Sequence, residues 1–226
     1  MSQSENVCVN VQNVKQNIEK AANIAERELS SIELIAVGKT FGADRIEPLL
    51  HAGHRCFGEN RVQEAQSKWP AIRKKFRGVE LHLIGGLQTN KVKSALKLFD
   101  YIHSLDSEKL ANKISRIQKE LNINRKLFIQ VNIGNEDQKS GVNPNKLKSF
   151  YKYCLDKDLD VIGTMCLPPI SEDPEKYFMR MNYLNKDLGL NELSMGMSAD
   201  YIPAIDNNAT FIRVGSKIFG ERKKKF

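Results

Sequence analysis

The sequence has no run of about 18 apolar residues, so no segment reads as a membrane-spanning helix. It also has no leader pattern: Met1-Ser2-Gln3-Ser4-Glu5-Asn6 is polar and carries an acid, which argues against a secretory signal and a mitochondrial presequence. A cytoplasmic protein is the expectation. Cysteine is sparse. Cys8, Cys56, Cys154 and Cys166 are scattered with no Cys-x-x-Cys pair, so neither a disulfide framework nor a zinc site is indicated, and reduced, mostly buried thiols are expected. His51 and His54 stand at helical i,i+3 spacing but have no third ligand near them in sequence, so they are expected on a helix surface and no metal site is assigned. Low-complexity tracts, long linkers and equal-length repeats are missing too, and nothing demands two domains.

What the chain does have is a positive balance, +8 over 226 residues. Arg222-Lys223-Lys224-Lys225 supply four of those charges in an unfolded-looking basic tail, 222–226. The rest is spread thinly, with no clustered basic helix and no aromatic RNA-binding motif, so nucleic acid is not the expected partner. The length suits one sizeable core, taken here as a single domain over 1–226.

Over 10–30, Val11, Val14, Ile18, Ala21, Ala22 and Ile24 or Ala25 share one face opposite Lys15, Glu19, Lys20 and Glu26, which predicts an extra N-terminal amphipathic helix. From there one unit recurs: a short apolar run, a turn rich in Gly, Asn and Ser, then a helical pattern. The predicted strands are 34–37, 55–58, 81–84, 101–104, 127–131, 161–165, 193–194 with its neighbours, and 211–214. The predicted helices between them are 43–51, 62–67, 91–98, 108–121, 145–155, 174–188 and 202–207. Eight strands alternating with helices predict an α/β fold, a (β/α)8 TIM barrel, with a doubly wound open sheet as the alternative.

In Ile32-Glu33-Leu34-Ile35-Ala36-Val37-Gly38-Lys39-Thr40 a buried strand ends on one lysine, at the strand end where α/β folds bind ligands. An ammonium at the edge of a low-dielectric core has its charged form disfavoured, and its free amine attacks aldehydes. A lysine that snorkels to solvent satisfies the same stretch. Polar residues gather after the other strands as well: Glu59-Asn60, then Gly85 through Asn90, His103-Ser104, Asn132 with Lys139-Ser140-Gly141, Ser194 through Asp200, and Gly215-Ser216. The last two turns precede helices, where free backbone N–H groups suit a phosphate dianion. Capping by Ser198 and Ser216 accounts for them equally. Arg213 alternates with apolar neighbours inside a strand, so its buried charge needs an acceptor, either an acid such as Glu59 or a bound heterocycle or anion.

Five blocks resemble the pyridoxal phosphate homeostasis proteins, single-domain relatives of the alanine racemase amino-terminal barrel. They are Ala36-Val37-Gly38-Lys39-Thr40, Phe57-Gly58-Glu59-Asn60-Arg61-Val62-Gln63-Glu64, His82-Leu83-Ile84-Gly85 through Gln88-Thr89-Asn90-Lys91, Ser194 through Tyr201, and Arg213-Val214-Gly215-Ser216 through Phe219-Gly220. The resemblance implies a fold type III barrel that binds pyridoxal 5'-phosphate (PLP). Lys39 matches the lysine of the internal aldimine, Asn60 a residue beside the ring, and Ser198, Gly215 and Ser216 the phosphate cradle. Arg213 matches the partner of the pyridine nitrogen, Met197 is an accessory position, and Lys139 falls in a Lys-Ser-Gly loop near the site. The sequence departs from the family at Gly38, where serine is usual, at Arg61, where tyrosine is usual, and at Gly86.

A permanently cationic Arg213 facing the pyridine nitrogen disfavours its protonation and weakens the ring as an electron sink. The sequence ends at Phe226, directly after the eighth strand and its helix, so the β-domain that racemases of this class use is not expected. The implied role is therefore PLP homeostasis within the vitamin B6 economy: a monomeric carrier or supplier to PLP-dependent apoenzymes, with little or no turnover. The alternative is a PLP-dependent amino-acid racemase or a Schiff-base aldolase.

Overall fold

The computed structural model describes residues 3–221, so the basic tail expected over 222–226 lies outside the described residues. Eight parallel strands close a barrel in chain order, the first pairing with the last. They are β1 Glu33–Val37, β2 Cys56–Glu59, β3 Glu80–Leu83, β4 Tyr101–Leu105, β5 Lys126–Val131, β6 Val161–Cys166, β7 Glu192–Met197 and β8 Phe211–Val214. The helices are α1 Gln3–Ile24, α2 Ala43–His51, α3 Val62–Lys75, α4 Val92–Leu98, α5 Glu108–Leu121, α6 Leu147–Leu155, α7 Glu175–Asp187, α8 Tyr201–Asp206 and α9 Ser216–Phe219. The open-sheet alternative is thereby excluded. Among the described residues, no helix is long and apolar enough to cross a membrane.

The period of two along each strand sorts side chains into two cores. Leu34, Ala36, Phe57, Leu81, Leu83, Ile129, Ile212 and Val214 face the helices and join the large outer core. Ile35, Val37, Cys56, Tyr101, Phe128, Met165 and Phe211 fill the barrel interior. The interior is also polar, since His82, His103, Ser194 and Arg213 lie buried within it.

Three expectations need correction. The N-terminal helix spans Gln3–Ile24 rather than 10–30, because Glu26 turns left-handed (φ 53°) and the Arg27 amide closes back on the Ala22 carbonyl at 2.8 Å. Val7, Val11, Val14, Ile18, Ala21 and Ala22 pack inward, whereas Ile24 is exposed. Helix α3 does not stop at Ser67 but runs to Lys75 through Pro70, because burying Trp69 and Ile72 outweighs the hydrogen bond that proline removes. His54 is not on a helix surface. The chain reverses at Gly53 (φ 87°) and tucks the imidazole inside, 2.7 Å from the Cys56 carbonyl oxygen, where burial lowers its pKa to about 4. His51 does sit exposed at the end of α2.

Candidate functional site

At the carboxyl ends of the strands opens a cavity of about 690 Å³. Lys39, Asn60, Met197, Ser198, Arg213, Gly215 and Ser216 all line it. Strand pairing explains the convergence. β1 and β8 are neighbours with Ile35 opposite Arg213, so the turn after β1 and the turn after β8 share one corner. Lys39 is half-buried there, in a left-handed conformation with φ 38°. Asn60 is brought in by a close approach of two loops, since a Cβ on Gly85 would lie 2.2 Å from the Asn60 carbonyl oxygen.

The turn carrying Ser198 is closed by Asp200, whose carboxylate accepts from the Met197 amide at 2.6 Å. Ser198 then reaches across to β8: its Oγ accepts from the amides of Gly215 at 3.2 Å and Lys217 at 3.5 Å. It caps the helix after the next strand rather than its own. With the oxygen so engaged, its hydroxyl proton is left to donate, while Ser216 stands exposed beside it.

Arg213 points into the barrel, and Glu59 is not its partner. In β2, Cys56 packs in the interior and a Cβ on Gly58 would meet the interior side chains Ile35 and Val37, so Phe57 and Glu59 face the helices. Glu59 pairs instead with Lys68 at 2.7 Å and accepts from the Trp69 indole at 2.9 Å. Burial raises its pKa, against the pull of Lys68 and Trp69. The Arg213 guanidinium donates to neutral oxygens, Ser194 Oγ at 2.6 Å and the Cys166 carbonyl at 2.9 Å. Burial lowers its pKa to about 10, which leaves it cationic at neutral pH. Among the described residues no carboxylate lies within ion-pair distance of it.

Below Arg213 a column of neutral groups descends through the barrel. His103 Nδ1 lies 2.9 Å from Ser194 Oγ, His103 Nε2 lies 2.9 Å from His82 Nδ1, and His82 Nε2 lies 3.3 Å from Cys56 Sγ. Arginine only donates, so the column is satisfied when the Ser194 hydroxyl donates to His103, His103 to His82, and His82 to the sulfur. The rings are sandwiched, His82 on Tyr101 at 4.1 Å and His103 on Phe128 at 4.2 Å. Burial drives the pKa of His82 down to about 3 and pushes that of His103 well below its ordinary value, so both stay uncharged.

Lys139 is the one anticipated residue outside the cavity lining. Its ammonium donates to the Pro168 carbonyl at 3.0 Å and pairs with Glu136, bracing the loop behind Leu167, which does line the cavity. The reading of the sequence missed Lys68. Its signal was a lysine three residues beyond Ala65 on the stripe Val62, Ala65, Trp69 and Ile72, all buried.

Residues 9–223 match the alanine racemase N-terminal domain family. A pyridoxal phosphate homeostasis protein of Aquifex aeolicus is 39% identical over 228 residues, spanning 96% of this chain and 99% of the relative. The chain belongs to the pyridoxal phosphate homeostasis protein family. Among solved structures, PipY of Synechococcus elongatus with PLP bound is 36% identical, with a TM-score of 0.78 over 90% of this chain and 100% of PipY. Clostridium difficile alanine racemase is 17% identical with a TM-score of 0.71, over 98% of this chain but 58% of the racemase, a likeness of fold alone.

Proposed function

We propose that the cavity binds PLP, with Lys39 as the covalent attachment point, and that the protein serves PLP homeostasis as a monomeric cytoplasmic carrier supplying PLP-dependent apoenzymes. One observation carries this reading: Lys39 and the buried Arg213, the latter held by neutral oxygens, stand on adjoining strand ends and open onto the same cavity. PipY has been solved with PLP bound. The donor set fits such a group. A guanidinium held only by neutral oxygens has hydrogens to offer a ring nitrogen, and the Ser198 and Ser216 hydroxyls sit where a phosphate needs donors.

When bound, the cofactor supplies an aldehyde carbon that takes an amine with loss of one water. Lys39 offers the amine. Arg213, which cannot accept a proton, favours an unprotonated ring nitrogen and so a weak electron sink. Apolar Val37, Phe41, Ile84 and Leu167 complete the cavity wall and would give a bound ring an apolar surface to pack on. Low turnover follows from the same lining. Among the described lining residues, Lys39 and Arg213 are joined by only one other titratable side chain, the exposed Glu221, so no second buried base faces the amine.

The test is a PLP titration followed by borohydride reduction and peptide mapping. The expected result is a visible absorbance band, reduction that fixes the label on Lys39, and loss of both in Lys39→Ala. Intact protein that stays colourless with excess PLP ends the reading.

A further inference from the structure

A second lysine lies beneath the first. Helix α3 brings Lys68 under the turn after β1, where its ammonium, on a side chain only 11% exposed, makes three contacts. It donates to the carbonyl of Lys39 at 2.9 Å and the carbonyl of Phe41 at 2.8 Å, and it pairs with Glu59 Oε1 at 2.7 Å. An ammonium has three N–H groups, and all three are committed. Glu59 is fully buried and steadied by the Trp69 indole.

The turn so gripped is a strained one. Lys39 has φ 38°, the left-handed region that costs a residue with a side chain on the order of 1 kcal/mol or more. The turn has bonds of its own, Gly38 N–H to the Gly58 carbonyl at 3.0 Å and Phe41 N–H to the Gly38 carbonyl at 2.9 Å, but these fix its two ends. The carbonyl of Lys39 itself is held by Lys68. Fixing that carbonyl fixes the peptide plane, and with it the direction in which the Lys39 side chain leaves the backbone. A buried ion pair is weak as a source of stability, because desolvation offsets its attraction. Its use here is geometric.

We propose that Lys68 is a positioning residue for Lys39: by clamping the left-handed turn from below, it sets the aim of the Lys39 amine into the cavity. Lys68 does not itself carry cofactor, since its ammonium is saturated by three acceptors. The inference rests on the reading of Lys39 as the attachment point.

The experiment separates aim from pocket. Pyridoxine 5'-phosphate, which has an alcohol in place of the aldehyde, reads the pocket alone, while PLP reads pocket plus amine. Glu59→Gln keeps both bonds from Lys68 to the turn and should form the Lys39 adduct at close to the wild-type rate. Glu59→Gln with Lys68→Met removes the clamp without stranding a buried carboxylate. It should bind pyridoxine 5'-phosphate like wild type yet form the adduct about tenfold or more slowly, the scale expected of a misaimed reactant. Wild-type adduct rates in the double variant overturn the proposal. So does an equal loss for both ligands, which marks a merely structural role. Should the double variant not fold, Lys68→Arg decides on the same two readouts, because a planar guanidinium cannot set three donors around one point. A wild-type protein that never labels on Lys39 fails the earlier reading instead, and is recognised before any variant is made.

Discussion

Two buried polar clusters flank β1, and they are built on opposite principles. Outside the sheet, beneath Lys39, the cluster is ionic: Lys68, Glu59 and Trp69. Inside the barrel, beneath Arg213, the column Ser194, His103, His82 and Cys56 is neutral, and a carboxyl group, that of Glu33, meets it only at the far end, at Cys56. The difference follows from what each supports. A turn is gripped by its carbonyls, and a cation that donates three ways grips best when a carboxylate pins it in place. An arginine whose remaining hydrogens are to serve a ligand, the role proposed for Arg213, must not be satisfied by an acid, and its neighbours here are dipoles that orient it without neutralising it.

The largest effect is expected from breaking the ionic cluster on one side. Lys68→Met leaves the Glu59 carboxylate buried without its cation, and urea unfolding at pH 7 should show a loss of about 3–5 kcal/mol. The penalty should shrink towards pH 5, because a carboxyl with an already raised pKa relieves itself by taking up a proton. A penalty independent of pH would place the cost elsewhere.

The neutral column should answer acid in the opposite sense. Its histidines have lowered folded pKa values, about 3 for His82, so between that value and about 6.5 the unfolded chain binds more protons than the folded one. Stability is therefore full above the unfolded value and falls as pH drops through the window. Between pH 7 and pH 5 each such histidine should remove about 2 kcal/mol. Glu59, with its raised folded value, works the other way, since its ionisation is what folding opposes. Because the two act oppositely in the wild type, the reading is a difference: if His82→Phe loses as much unfolding free energy from pH 7 to pH 5 as the wild type does, the His82 ring is not held neutral.

The barrel was legible because its signals are local and repeated: short apolar runs alternate with helical patterns, and every run falls on an observed strand, most within a residue of its ends, while the seventh, expected at 193–194 with its neighbours, extends to Met197. The positions lining the cavity were legible because they lie at or just beyond the carboxyl ends of strands, which closure of the barrel brings together. Partnerships were not legible. Glu59 and Arg213 are both buried strand residues of opposite charge, and only the phase of β2, read with the neighbours of Gly58, sends one outward and the other inward. Lys68 was lost because Pro70 reads as a helix stop, whereas burial of Trp69 carries the helix through. His54 was lost because a left-handed glycine folds it inward after the helix pattern has ended.

A smaller step tests how Arg213 is oriented. Ser194→Ala removes the hydroxyl shared by the guanidinium and His103, and should cost about 1.5–3 kcal/mol, the range for a hydrogen bond to a charged group. If Arg213 faces the ring nitrogen as proposed, the same variant should shift the visible band of the PLP-loaded protein, because the guanidinium is then held by the Cys166 carbonyl alone. An unmoved band would assign Ser194 to stability alone.

The smallest effect sharpens the ionic side. Glu59 Oε2 is buried without a hydrogen-bond partner, although Oε1 has two. Against the same carboxylate stands Gly38, where the family usually has serine, and a Cβ there would lie 3.0 Å from Glu59 Oε1 and 3.1 Å from Ile46 Cδ1. The isoleucine contact is a terminal methyl that can rotate aside, whereas Oε1 is held by Lys68 and Trp69 and must give by a few tenths of an ångström; that cost is the same for alanine as for serine. Only serine adds a hydroxyl able to donate to the carboxylate. Gly38→Ser should therefore exceed Gly38→Ala in unfolding free energy by about 1 kcal/mol, the net worth of one hydrogen bond. Because the steric cost cancels in that difference, equal stabilities for the two variants would mean that the carboxylate has no use for another donor, and that Lys68 and Trp69 already satisfy it.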